Sequence, residues 1–168
     1  MEKILEIENL KKKYIKEKDC DCYSVQLLLD DSFLILVKKC NYYVNNKEYL
    51  KALDYLLSFL ITLDDPVIDY SSEQTPQLYA LVSYLKDIFN LCENKEEFVN
   101  RFLNAYISFS DTFKGIYESL LIDPFFNVKK YQKKIIQIKK DELKQVSRPR
   151  EKAKLEKEVE DLIRRCSF

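Results

Sequence analysis

The chain of 168 residues contains a single glycine, Gly115, and four prolines, Pro66, Pro76, Pro124 and Pro149. Tight hairpin turns use positive-φ positions that glycine fills without steric cost, so a sheet of connected hairpins has almost no material to form from. Apolar residues instead recur with helical period between the proline-marked breaks. The predicted fold is all-α: an antiparallel up-and-down helical bundle of four to five helices with a C-terminal helical extension. Apolar residues make up 46% and charged residues 33% of the chain, enough of both to form a core and solvated faces rather than a disordered segment.

Ile7, Leu10 and Tyr14 fall on one stripe among many charges, which predicts a thin amphipathic helix ending near Asp19. From Ser24 to about Asn45 the run SVQLLLDDSFLILVKKCNYYV is apolar round most of its circumference, the pattern of a helix at the centre of a bundle. Asn45-Asn46 is a helix stop, and KEYLKALDYLLSFLITL continues as the next helix to Asp64-Asp65-Pro66. DDPVIDYSSEQ reads as the longest loop. Thr75 followed by Pro76 marks the next helix start, since Pro at the first helical position lacks only a donor that would have no partner anyway. Asn94 and Glu97 have capping-box spacing and open a fifth helix that runs on to about Leu121. Asp123-Pro124 repeats the cap-and-proline signal. Beyond it Val128, Tyr131, Ile135 and Ile138 keep helical spacing until Ser147-Arg148-Pro149 interrupts it. Leu155, Val159, Leu162 and Cys166 then form a short seam.

Charge divides the chain into two parts. Residues 124–168 carry 14 Lys and Arg against 7 Asp and Glu, and because the whole chain balances at 28 against 28, the preceding part has an equal acidic surplus. The expected division is a bundle over residues 1–122 and a basic helical extension over 123–168. No run of apolar residues is long enough for a membrane span, and the first residues, MEKILEIENLKKKY, lack a signal-peptide apolar core. Cys40 and Cys92 sit at apolar helix positions, as reduced thiols do. A cytoplasmic location with no membrane partner is the expectation.

Several chemistries lack their residues. Histidine is absent, which removes the usual general base, the triad partner and the commonest zinc ligand. One glycine cannot build a phosphate-binding loop. Cys20-Asp21-Cys22 has no second ligand pair, and the adjacent carboxylates Asp30-Asp31 and Asp64-Asp65 point about 100° apart on a helix, a poor geometry for shared acid–base work. No enzyme activity, cofactor or metal is expected. Tyr42, Tyr43, Tyr49, Tyr55, Tyr79, Tyr84, Tyr106 and Tyr117 all fall in predicted helices, either as core or, with an apolar body and polar tip, as the edge of a groove.

Across roughly Cys22 to Gly115 the helix order and several residues resemble the flagellar secretion chaperone family FliS. Leu28, Leu29, Asp30, Asp31 and Ser32 are similar to that family's second-helix motif ending Leu-Tyr-Asp-Gly, with Asp30 standing for its tyrosine and Ser32 for its glycine. NNKEYLKALDYLLSFLITL is similar to the segment joining its second and third helices. Leu78-Tyr79-Ala80-Leu81-Val82-Ser83-Tyr84 resembles its Leu-Tyr-x-Leu-Tyr-x-Tyr stretch, with Val82 at a tyrosine position. The longer lysine- and tyrosine-rich chain is equally similar to the FliS-associated co-chaperone of the Helicobacter type. The resemblance implies a protein that binds a FliS-type chaperone, the terminal helices of flagellin, or both. Tyr42, Tyr43, Tyr49, Leu50 and Tyr55 are the candidate partner-binding residues, because aromatics cluster there beyond what one core-facing stripe accommodates.

Two other readings stand beside it. Lys129, Lys130, Lys133, Lys134, Lys139, Lys140 and Lys144 form a basic run that could meet nucleic acid, although such a run is usually a solvated helix face. NNKEYLKALDYLLSFL has the spacing of one helix of a tetratricopeptide unit, the mark of a generic helical adaptor, but no second copy follows at the required period.

Overall fold

The computed structural model describes residues 1–15, 22–70, 75–122 and 129–165. Among the described residues every regular element is an α-helix: α1 (Leu5–Tyr14), α2 (Cys22–Asn45), α3 (Tyr49–Leu63), α4 (Thr75–Leu91), α5 (Lys95–Ser108), α6 (Asp111–Ile122), α7 (Lys129–Gln145) and α8 (Pro149–Arg165). The all-α expectation holds. The chain forms two compact units, Met1–Tyr117 and Glu118–Phe168, which divide inside α6; the sequence places the boundary a few residues later, between 122 and 123.

In the first unit α2 and α3 are joined by a three-residue turn. Glu48 N–H donates to the Tyr43 carbonyl at 2.8 Å and Lys47 N–H to the Val44 carbonyl at 3.0 Å, the paired bonds of a Schellman cap that satisfies the last carbonyls of α2. Lys47 takes the left-handed conformation this cap requires, with φ 59°. The two helices then run antiparallel, because contacts that climb one descend the other. The Phe33 and Phe59 rings lie 5.4 Å apart, and the Cys40 thiol lies 3.8 Å from the Ala52 carbonyl. α3 and α5 instead run in the same direction, since Asp54 meets Arg101 and Asp64 meets Ser110.

The buried centre differs from the sequence reading. α3 buries Ala52, Leu53, Leu56, Leu57, Phe59, Leu60, Thr62 and Leu63, whereas α2 buries one face and leaves Tyr23, Leu34, Val37 and Tyr42 in water. α3 is flanked by α1, α2, α4 and α5, so it rather than α2 is the central helix. Each large apolar side chain so buried contributes about 1.5–3 kcal/mol, which makes α3 the largest contributor to the core. Beside it Phe109, Phe113 and Tyr117 stack with centroids 5.9–6.3 Å apart, and Tyr70 lies 5.4 Å from Phe113.

The predicted fifth helix is two helices. α5 starts as expected, with the Asn94 side chain accepting from Glu97 N–H at 3.1 Å. It ends at Ser108, and α6 begins after Ser110, whose N–H donates to Asp64 Oδ2 at 2.6 Å and whose hydroxyl also bonds that carboxylate. The remote Asp64 holds the break. Ser110-Asp111-Thr112 is itself an N-cap signature that a reading of periodicity alone passes over. α4 starts at Thr75, though the Thr75 side chain lies outside the described residues, as do Asp123 and Pro124.

In the second unit the interruption at Ser147-Arg148-Pro149 separates α7 from α8 as expected, and the two helices pack together. Ile135, Ile136 and Val159 are buried there, and Leu155 is half-buried; Leu162 and Cys166 of the expected seam lie outside the described side chains. Lys139 is also buried, with its ammonium 3.3 Å from Glu118 and 3.6 Å from Glu142.

Candidate functional site

The candidate tyrosines arise from the last turn of α2 and the first turns of α3. Because α2 and α3 are antiparallel and meet at a short turn, Tyr43 and Tyr55 come together, with ring centroids 6.4 Å apart. Tyr42 packs edge-on against Tyr43 at 5.7 Å. Tyr42 is 60% exposed, whereas Tyr43 and Tyr55 are half-buried. α1 lies alongside and completes a groove of about 990 Å³, lined by Ile4, Leu5 and Leu10 of its own flank, Ile35 and Tyr42 of α2, and Tyr55 of α3. Leu5 is 71% exposed at its edge.

The groove has an apolar floor and a charged rim. Lys38, Lys39 and Glu6 border it, and the Lys39 ammonium sits 5.4 Å from the Tyr43 ring centroid, where the ring face attracts a cation. Burial first, and then the Glu6 carboxylate, push the Tyr55 phenol above its ordinary value, so it stays a neutral hydroxyl. Such a surface suits apolar side chains presented by a partner whose flanking charges can meet the lysines.

The five candidates do not form one surface. Tyr49 and Leu50 line a separate hollow of about 540 Å³ at the other side of the turn, together with Leu91, Cys92, Glu93 and Asn94 of the α4–α5 connection. The reason is helical geometry: Tyr49 and Leu50 open α3, while Tyr55 lies more than a turn further on and faces α1. The residues of α1 were missed as groove walls. Leu5 and Leu10 are apolar positions of α1 in the sequence, but only tertiary packing brings α1 to Ile35 and Tyr42.

The other tyrosines separate into core and surface. Tyr106 and Tyr117 are fully buried, and the Tyr117 hydroxyl donates to the Leu78 carbonyl at 3.0 Å. Tyr79 is 49% exposed. Tyr84 has a buried hydroxyl with no hydrogen-bond partner among the described residues, and burial, with Cys40 and Asp87 nearby, pushes it up to about 12.

The paired carboxylates are used structurally. Asp30 accepts from Gln26 and Gln77, Asp31 from Tyr14, Asp64 from Ser110, and Asp65 from Lys11 and Val67 N–H. Neither pair is left as two free carboxyls facing one space. Cys40 and Cys92 are buried as expected, Cys22 is exposed, and Cys20 and Cys166 lie outside the described residues. Among the lysines of α7, Lys139 is buried in its ion pairs and Lys144 pairs with Asp141 at 2.7 Å, while Lys133, Lys134 and Lys140 are exposed. The side chains of Lys129 and Lys130 are not among those described.

Fold and site together define an all-helical protein with an apolar, tyrosine-edged groove on its first unit. Among the described residues no helix is long and apolar enough to cross a membrane. Comparison with known proteins gives no matching family model, no matching curated protein and no matching solved structure.

Proposed function

We propose that the protein is a non-enzymatic, cytoplasmic export chaperone or co-chaperone of the flagellar type, whose first unit is an up-and-down bundle that holds an amphipathic helix of its partner. The partner is a FliS-type chaperone, a terminal helix of flagellin, or both. The observation that carries the reading is the groove between α1, α2 and α3: exposed Tyr42 and half-buried Tyr55 on an apolar floor, with Lys38, Lys39 and Glu6 at the rim. A helix that presents apolar side chains at spacings of three and four along one face gains about 25 cal/mol for each Å² of apolar surface it buries there. It loses conformational entropy as it orders, so capture is specific and reversible. The residue resemblance across Cys22 to Gly115 supplies the identity of the partner.

The test is binding of labelled flagellin terminal peptides, and separately of a FliS-type chaperone, by fluorescence anisotropy. Tyr42→Glu places a charge at an exposed position, so the helical circular dichroism is retained while affinity falls by about tenfold or more, the equivalent of one lost hot spot. Unchanged affinity in a folded Tyr42→Glu variant, or no binding by the wild-type chain to either partner, refutes the proposal.

A further inference from the structure

α2 has two apolar faces, of which the described residues bury one. Val25, Leu28, Leu29, Leu36 and Cys40 point inward and are buried. On the opposite side Tyr23 is 71%, Leu34 72% and Val37 50% exposed, with Leu27 half-buried among them. Positions 23, 27, 30, 34, 37 and 41 alternate spacings of four and three, the repeat that keeps a stripe facing a neighbouring helix over several turns. A helix apolar round most of its circumference is normally covered on both sides. Among the described residues the first unit supplies cover for one side only.

The charges on the outer face indicate what covers the other. Exposed Asp30 lies one turn before Leu34, and exposed Lys38 one turn after it. The Gln26 and Gln77 side chains donate to Asp30 at 2.8 and 2.7 Å and fix its carboxylate at the surface. When two copies of α2 cross antiparallel about a two-fold axis at Leu34, Asp30 of each meets Lys38 of the other, Leu34 meets Leu34 with Val37 beside it, and Leu27 lies one turn further out, opposite Asn41 of the other copy. A parallel, in-register pairing sets Asp30 against Asp30 and Lys38 against Lys38, which is repulsive. The face is therefore complementary to itself in one orientation, the requirement for a closed two-fold interface.

We infer that the outer face of α2 is a homodimer interface, occupied by α2 of a second copy of this chain in antiparallel orientation. The apolar stripe lies on the side of α2 turned away from the core, and of the dimer-face residues Lys38 also borders the tyrosine groove, so Leu34→Glu, outside that groove, tests the inference apart from the partner proposed there.

The test is sedimentation equilibrium of the full chain over a wide concentration range. The expected result is a reversible dimer of twice 20.1 kDa. Leu34→Glu, at a side chain already in water, yields a monomer with unchanged helical circular dichroism. Asp30→Lys alone and Lys38→Asp alone each weaken dimerisation by about tenfold or more, because each brings like charges together twice per dimer. Mixed in equal amounts, the two charge variants recover the dimer as a mixed pair, since every facing position again holds opposite charges. That recovery distinguishes a broken interface from a misfolded variant. A chain monomeric at every concentration overturns the inference, whether the stripe is bare, covered by the C-terminal segment or taken by another protein. A dimer that survives Leu34→Glu, or charge variants that fail to recover on mixing, overturns it equally.

Discussion

Lys11→Met is expected to destabilise the first unit by about 2 kcal/mol, through the loss of one buried ammonium that fastens α1 to the end of α3. The Lys11 ammonium is 2.7 Å from Asp65, 3.0 Å from Glu8 and 3.0 Å from the Thr62 carbonyl. That carbonyl lies four residues before Pro66, whose nitrogen has no hydrogen, so the helix offers it no donor of its own. Methionine keeps the apolar stem and removes the donor. A hydrogen bond to a charged group contributes about 1.5–3 kcal/mol. Three acceptors lose the same donor, but Asp65 and Glu8 retain 25% and 26% exposure and recover part of their hydration, which sets the estimate at about 2 kcal/mol rather than a larger figure. Urea unfolding should show a lower midpoint at unchanged slope, and thermal unfolding a loss of about 4 to 8 °C for a chain of this size.

The pH dependence follows from the same contacts. Burial alone would raise the Asp65 carboxyl, but the Lys11 and Val67 hydrogen bonds outweigh it and hold the group below its ordinary value of 3.8. Its contribution is complete above that value and is lost as pH falls through the lower, folded one. Burial likewise opposes the charge on Lys11, yet Asp65 and Glu8 outweigh it and hold Lys11 above 10.5. That contribution is complete below 10.5 and disappears as pH rises through the folded value. The wild-type advantage over Lys11→Met should thus be flat through neutral pH and shrink at both ends. A difference below about 0.5 kcal/mol at neutral pH, the scale of an exposed pair, would refute the fastening role, and so would a Lys11→Met/Asp65→Asn double variant with purely additive losses.

Other substitutions follow from local geometry. Gly115 is exposed inside α6, and a Cβ there meets no atom within 4 Å, so Gly115→Ala should add about 0.5–1 kcal/mol in urea unfolding. Lys47→Gly relieves a side chain held at φ 59° in the α2 cap and should gain about 1 kcal/mol; a loss would contradict the Schellman geometry. Asn94→Ala leaves Glu97 N–H without its side-chain acceptor and should lose about 1 kcal/mol. Burial pushes the Cys40 thiol up to about 12, so peptide mapping after thiol labelling at mildly alkaline pH should find Cys40 unmodified in the native protein and modified once it is unfolded.

Most helix starts and stops were legible because their signals are local. Asn94 caps the residue three positions on, and Pro149 opens a helix whatever lies elsewhere in the chain. The break after Ser108 was not legible from helical period, because apolar spacing continues through it; Asp64, 46 residues away, bonds Ser110 and fixes a second helix start. The apolar circumference of α2 was visible in the sequence, but periodicity does not say which of two apolar faces a neighbour will cover.

The crowd of tyrosines around the α2–α3 turn shows the same limit. Residue type alone marked Tyr42, Tyr43, Tyr49, Leu50 and Tyr55 as a cluster, and the order of helices α2 and α3 brought them to one end of a hairpin. Whether they share a surface depends on helix rotation and on α1, which walls in Tyr42 and Tyr55 and leaves Tyr49 and Leu50 to face the α4–α5 connection.

By itself, then, the sequence determined an all-helical chain: one glycine excluded hairpins, and caps and prolines set most of the helix ends, since these depend on neighbours within a few residues. Only the tertiary structure decided that α3 is the central helix, that α1 completes a groove and that α2 keeps an apolar face in water, because burial depends on which faces meet across long sequence separations.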